Sequence, residues 1–212
     1  MDQVSPPHDA LDYAALAATP CEHEPFDHVI VPGFVRRDAL PAIHTDYPAI
    51  DKAGSFPCHT LEYGPAFAKL VEDLQGPEMR HAIEKVFGID LTGRPTTVTV
   101  RGQSHTRDGH IHPDSREKII TALIYMNPAW EESAGRLRLL RSAHDLEDYA
   151  AEVPPDEGTL LVFRRSDTSY HGHKTFIGQR RVVQLNWVTG DSFARRERWR
   201  HTISAFFKRR RI

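Results

Sequence analysis

Thr96-Thr97-Val98-Thr99-Val100-Arg101 is the stretch at which the chain changes its period. Five of these six residues are β-branched, a composition that suits the pleated, half-buried surface of a strand. Upstream the apolar spacing is helical: Phe67, Leu70, Val71 and Leu74 recur at intervals of three and four, and Gly76-Pro77 ends that helix. Pro77 can open a second helix with the apolar face Met79, Ile83 and Val86-Phe87, stopped by Gly88. Downstream the apolar runs are short: Lys118 to Met126 (KIITALIYM), Arg136 to Leu140, Thr159 to Phe163 and Arg181 to Val188, punctuated by Gly135, Gly158 and Gly178. Further out, His28-Val29-Ile30-Val31 reads as a strand closed by Pro32-Gly33, followed by a helix from about Arg37 to Asp46. Helices first, then several short strands at loop-length intervals, predict an α+β domain on an antiparallel sandwich or jelly roll.

A chain of 212 residues holds one ordinary domain with extensions. We expect an N-terminal arm over 1–24 with one short helix, a main domain over 25–190 whose chemistry lies in 95–190, and a basic C-terminal helix over 191–212. In that last segment, Ala194 to Arg200 and Lys208 to Arg211 bracket Ile203, Phe206 and Phe207. Such a helix docks its aromatic residues on the domain or contacts an acidic surface. Forty per cent apolar residues and a net charge of -2 describe a soluble globular chain, with no overall electrostatic case for nucleic acid. Cys21 and Cys58 have no CxxC partner, so neither a disulfide framework nor a zinc knuckle is indicated. With neither a signal core nor a membrane-length apolar run, the expected location is the cytoplasm.

Five of the thirteen histidines, His105, His110, His112, His171 and His173, fall in two short clusters. In Gly109-His110-Ile111-His112-Pro113-Asp114, His112 and Asp114 share a face if the backbone is extended, and Pro113 biases His112 towards that conformation. A third ligand is available in Ser169-Tyr170-His171-Gly172-His173. Two His and one carboxylate on one side of a metal, with open positions on the other, is the mononuclear iron pattern. Arg180-Arg181 follows at the head of an apolar run, and a buried arginine fork suits bidentate recognition of a carboxylate.

Over residues 26 to 190 the chain resembles the Fe(II)/2-oxoglutarate-dependent dioxygenase superfamily, in its prolyl-hydroxylase-like branch. His112-Pro113-Asp114 falls on the family's HxD, Thr121 to Asn127 resembles its T-x-x-x-Y-L-N strand, and Trp130 the tryptophan that often follows. Ala134 to Leu139 resembles its GG-x-L strand, with Ala134 in place of the first glycine, and His171 to Arg180 resembles the distal histidine and cosubstrate arginine. The resemblance implies a double-stranded β-helix (jelly-roll) core flanked by the N-terminal helices. It also implies His112, Asp114 and His171 as ligands of Fe(II), Arg180 on the distal carboxylate of 2-oxoglutarate, and Tyr125 and Gln184 as further cosubstrate contacts. The alternatives His173 for His171 and Arg181 for Arg180 stay open.

The implied activity is hydroxylation of an unactivated C–H bond, a prolyl or other protein or peptide residue being one candidate, with O2 consumed and succinate and CO2 as coproducts; ascorbate is an optional accessory. Two other readings compete. One is a non-catalytic jelly-roll module binding peptide or saccharide, and the other is a cupin-like metalloenzyme without 2-oxoglutarate. His105, Arg107, Asp108 and His110 form either a substrate-binding lip or a solvated loop, whereas Trp130, Trp187, Arg116 and Lys118 read as packing or solvated residues.

Overall fold

The structure is a computed structural model and describes residues 10–191. Four helices precede or flank the first strands: α1 (Tyr13–Ala18), α2 (Leu40–Thr45), α3 (Pro65–Gln75) and α4 (Pro77–Phe87). The strands are β1 (His28–Val31), β2 (Phe56–Pro57), β3 (Thr96–Ser104), β4 (Lys118–Tyr125), β5 (Leu137–Leu140), β6 (Tyr149–Val153), β7 (Leu160–Arg164), β8 (His171–Gly172) and β9 (Gly178–Val188). They form two antiparallel sheets, one ordered β1-β7-β4-β9-β3-β2 and the other β6-β5-β8. This is the jelly-roll arrangement, with α+β composition, that the change of period predicts.

The expected helices form for the expected reasons. Pro65 and Pro77 each sit in a first turn, where a missing backbone N–H costs nothing, and Gly88 closes α4 in the left-handed region at φ 60°. Phe67, Leu70, Val71 and Leu74 of α3 and Met79 and Ile83 of α4 are buried in one cluster with Val100, Ile120, Ala122, Ile124, Leu160, Val162, Val183, Leu185 and Trp187. The helices therefore cover the outer face of the larger sheet. A smaller cluster on its inner face joins Tyr125, Leu161, Phe163 and Val182 to Leu137, Leu139 and Val153 of the second sheet. Because both faces of β4 and β7 are covered, those strands read as nearly continuous apolar runs rather than alternating ones, whereas β9 alternates.

Two regions differ from expectation. The segment read as an arm is packed from residue 10 on: Leu11 and Leu16 are buried in the main cluster, α1 lies against α4, and Asp12 caps α1 by accepting from the Ala15 amide at 2.9 Å. Its Ala/Leu spacing is amphipathic, and a six-residue helix is stable only through such packing. Strand β6 is absent from the sequence reading because Tyr-Ala-Ala-Glu-Val is half-exposed at a sheet edge and carries little apolar signal. The basic C-terminal helix lies outside the described residues. Among the described residues, no helix is long and apolar enough to cross a membrane.

If α1 is part of the core, Leu16→Ala should cost about 2–5 kcal/mol of stability, as a buried leucine does. Urea denaturation checks this; a loss under about 0.5 kcal/mol would mean a detached arm.

Candidate active site

One pair of backbone hydrogen bonds joins the two halves of the site. His112 N–H donates to the His171 carbonyl and His171 N–H to the His112 carbonyl, both at 3.1 Å, and the two imidazole rings stand 4.6 Å apart. Two glycines make this approach feasible. A side chain on Gly109, at φ +92°, would start 2.3 Å from the His173 carbonyl oxygen, and one on Gly172 would start 2.8 Å from that of Gly109. Pro113 then carries the chain to Asp114. The result is that a ligating atom from each of His112, Asp114 and His171 lies within 4.8 Å of the others.

Each ring is oriented through its Nδ1, which lies 2.7 Å from the His110 carbonyl in His112 and 3.0 Å from the Ser169 carbonyl in His171. With Nδ1–H donating there, the Nε2 lone pair of each ring is the one left to ligate. Asp114 is buried; its Oδ1 accepts from the Lys118 ammonium at 2.7 Å and its Oδ2 from the Thr121 hydroxyl at 2.5 Å. Burial alone would raise the Asp114 carboxyl, but Lys118, His171 and Thr121 outweigh it and hold it below the usual carboxylate range. His171 is pushed down to about 4, by burial first and by His112 in addition, against the opposing pull of Asp114. At neutral pH the site thus presents the neutral His171 imidazole and the Asp114 carboxylate beside the His112 ring, a donor set that fits a ferrous ion.

The cavity around these groups has a volume of about 440 Å³ and lies between the two sheets. Alternate residues of β9, Arg180, Val182, Gln184 and Asn186, form one wall, so period 2 alone brings Arg180 and Gln184 to the same face. Arg181 points the other way, its guanidinium over the Tyr47 ring at 5.1 Å. Arg180 is buried and donates Nε–H to the Gly135 carbonyl at 2.8 Å; it forms no ion pair among the described residues. Burial lowers its pKa. Its guanidinium stands 5.5 Å from the Tyr125 ring centroid, and the Tyr125 hydroxyl is buried without a partner within hydrogen-bond geometry. Burial raises the Tyr125 phenol and Arg180 partly offsets that, so the phenol stays neutral. An unpaired buried guanidinium beside an unsatisfied phenol is costly unless an anion completes it, and a dicarboxylate such as 2-oxoglutarate fits that need.

Of the two pairs left open by the sequence, the cavity takes Arg180 rather than Arg181, and the three-residue cluster takes His171 rather than His173. His173 also faces the cavity, with Nδ1 2.9 Å from the Lys174 carbonyl. Gln184 lines the wall but directs its amide to Asn186 at 3.0 Å. Tyr125 is wholly enclosed rather than lining the cavity. Trp130 packs on Phe176 and donates to the Ala134 carbonyl, a structural role. Lys118, read as solvated, is instead nearly buried against Asp114, because a buried carboxylate needs a counter-charge and residue i+4 reaches it. Arg101, Thr121 and Asn186 were not foreseen in the site. Alternation along β3 and β4 is the signal that would have found Arg101 and Thr121; Asn186 continues the Arg180–Gln184 face.

Two imidazoles and a carboxylate gathered on one side of a cavity match the donor pattern of non-haem iron oxygenases. Residues 98–189 match the 2OG-Fe(II) oxygenase superfamily, whose general cofactor and cosubstrates are iron, 2-oxoglutarate and O2. Solved structures agree in fold. A prolyl-4-hydroxylase from Pseudomonas putida is 15% identical over 90% of this chain and 99% of its own, with a TM-score of 0.56. HygX from Streptomyces hygroscopicus, with nickel and 2-oxoglutarate bound, is 12% identical over 76% and 81%, with a TM-score of 0.52. The viral collagen prolyl hydroxylase of Paramecium Bursaria Chlorella virus-1, in its 2-oxoglutarate complex, is 14% identical over 76% and 96%, with a TM-score of 0.51. No curated protein sequence matches this chain significantly.

The buried histidines make the metal-free fold acid-sensitive. His171 and His173 are each pushed down from 6.5 to about 4, in both cases chiefly by burial. Between those values the unfolded chain binds more protons than the native one, so stability is full above about pH 6.5 and declines as pH falls. At pH 5 the loss should be about 2 kcal/mol for each histidine, and His173→Gln should remove about half of it. Urea titrations of iron-free protein at pH 7 and pH 5 measure both quantities.

Proposed function

We propose that His112, Asp114 and His171 hold Fe(II), that Arg180, with Tyr125 packed behind it, holds the distal carboxylate of 2-oxoglutarate, and that the protein hydroxylates an unactivated C–H bond. The observation that carries the reading is the pairing of two features in one cavity: a three-ligand cluster and a buried, unpaired arginine on the adjoining wall. Iron with 2-oxoglutarate supplies the oxidising power: one O2 is consumed, one oxygen enters the C–H bond to give an alcohol, and the other leaves in succinate with release of CO2.

This chain's residues supply the rest. The backbone carbonyls of His110 and Ser169 hold the Nδ1 edges of the two rings, which leaves Nε2 of each to ligate. Thr121 and Lys118 hold the Asp114 carboxylate ionised and limit its rotation. Arg180 is itself fixed by Gly135, and so offers its remaining N–H donors in a defined direction. Gln184 and Asn186 sit between Arg180 and Asp114 on the wall, where Gln184 can add a polar contact to the cosubstrate. Leu123, Leu137, Phe163 and Val182 give this part of the cavity apolar sides that exclude water from the cosubstrate's methylenes. A prolyl or other peptide residue as substrate rests on fold likeness alone, and fold does not select a substrate.

Anaerobic addition of Fe(II) and 2-oxoglutarate should give a visible charge-transfer band and, with air, succinate. His171→Ala and Asp114→Ala should abolish both. Arg180→Ala should keep metal binding yet weaken 2-oxoglutarate by about a hundredfold, in line with the loss of a buried charge pair. A well-folded protein without the band would refute the proposal, and an Arg180→Ala variant with unchanged cosubstrate affinity would favour a metalloenzyme that does not use 2-oxoglutarate.

A further inference from the structure

The cavity wall carries more positive charge than the proposed chemistry uses. Four permanent cations face it, Arg101, Arg107, Lys118 and Arg180, against two carboxylates, Asp108 and Asp114. Both carboxylates are already engaged, Asp108 by Arg101 at 3.2 Å and Asp114 by Lys118 at 2.7 Å. A divalent iron and the two negative charges of 2-oxoglutarate cancel each other. The loaded cavity is therefore left with the equivalent of two positive charges and no carboxylate free to meet them. Such an excess in a concave, partly apolar site draws in an anion and disfavours a cation.

The structure also places one of these cations at the rim on a fixed base. Asp108 N–H donates to the His105 carbonyl at 2.9 Å, closing a turn over 105–108, and the Asp108 carboxylate accepts from the His105 amide at 2.8 Å and from Arg101. Burial would raise the Asp108 carboxyl, but those two contacts hold it low, so the clamp is ionised. Gly109 follows immediately, pressed against the His173 backbone. Arg107 stands in this turn, exposed, lining the cavity and without a hydrogen bond or ion pair among the described residues. Ser55, Thr99 and Gln184 add uncharged hydrogen-bonding groups along the same wall.

We propose that the substrate carries an anionic oxygen group, a carboxylate or a phosphate, bound at the cavity rim by Arg107 while its target C–H bond faces the His112, Asp114 and His171 cluster. The inference rests on the site reading above. It names the chemistry that the likeness in fold leaves open: the group beside the hydroxylated carbon is acidic. Lys118 reinforces the preference from the inner end, because its ammonium remains in the cavity when Asp114 also serves the metal.

The test uses the anaerobic protein loaded with Fe(II) and 2-oxoglutarate, with loading followed in each variant by the charge-transfer band. A missing band in the wild-type protein overturns the site reading and is distinguishable from failure of the charge argument. The loaded protein is titrated at constant ionic strength with inorganic phosphate, N-acetylaspartate and the neutral isostere N-acetylasparaginamide, in which both carboxyl groups are amides. We expect a saturable change in the band with phosphate or N-acetylaspartate at roughly millimolar concentration. N-acetylasparaginamide should give little change. Arg107→Glu should weaken the anion about tenfold or more. Arg94→Glu, far from the cavity on a contact to Thr189, should bind like wild type. A response to phosphate alone assigns a phosphate ester, and one to N-acetylaspartate alone assigns a carboxylate. The proposal is overturned if neither anion acts, if the neutral isostere acts as well as the acid, if Arg107→Glu binds like wild type, or if the anion merely bleaches the band by displacing 2-oxoglutarate.

Discussion

The backbone pairing of His112 with His171 is the constraint on which the site depends. These residues are 59 positions apart in the chain, and neither lies in a long strand: β8 is only two residues, and His112 is a lone bridge in a loop. Their two reciprocal hydrogen bonds close the gap between the loop after β3 and the second sheet. Both rings are thereby set side by side, and Asp114 follows two residues on. Gly109 and Gly172 are required at the crossing because any side chain there would start inside the neighbouring backbone. The His112, Asp114 and His171 cluster is thus a product of sheet closure, not of a preformed local loop.

Around that crossing the structure separates stability from chemistry by face. The outer face of the larger sheet is sealed by α3 and α4 and by the packed N-terminal segment, and it holds the bulk of the buried apolar side chains. The inner face gives up some of that packing to a cavity of about 440 Å³ that contains four cations. Burying unpaired charge is costly, and Arg180 is the clearest case. That cost persists because the rest of the fold outweighs it, which is how functional sites are commonly maintained. On the proposed reading a dicarboxylic cosubstrate meets the charge of Arg180, and the remaining excess bears on what else the cavity admits.

Much of the fold was legible in the chain. The switch from 3.6 to strand-like runs at Thr96, the Gly76-Pro77 and Gly88 stops, and the HxD, histidine and arginine order all carry local signals, and the two-sheet architecture follows from them. Strand β6 was not legible, since an edge strand half in water lacks the apolar pattern that marks a strand. The docking of Leu11 and Leu16 was equally hidden, because an amphipathic helix in isolation does not say what it packs against.

What the sequence by itself determined is the class of chemistry: residue types and order around His112, Asp114, His171 and Arg180 name a metal and an acid cosubstrate. Tertiary structure decided which of these residues share one cavity and what surrounds them. Strand alternation turns Arg180 in and Arg181 out, a choice that depends on which face of β9 the second sheet covers. Reciprocal pairing selects His171 over His173. Lys118, a charged residue that looks solvated in the chain, becomes the counter-ion of Asp114 only because folding buries the carboxylate. The physical reason is common to all three: periodicity and residue chemistry are local, whereas burial and the partners it imposes are set by segments far apart in the chain.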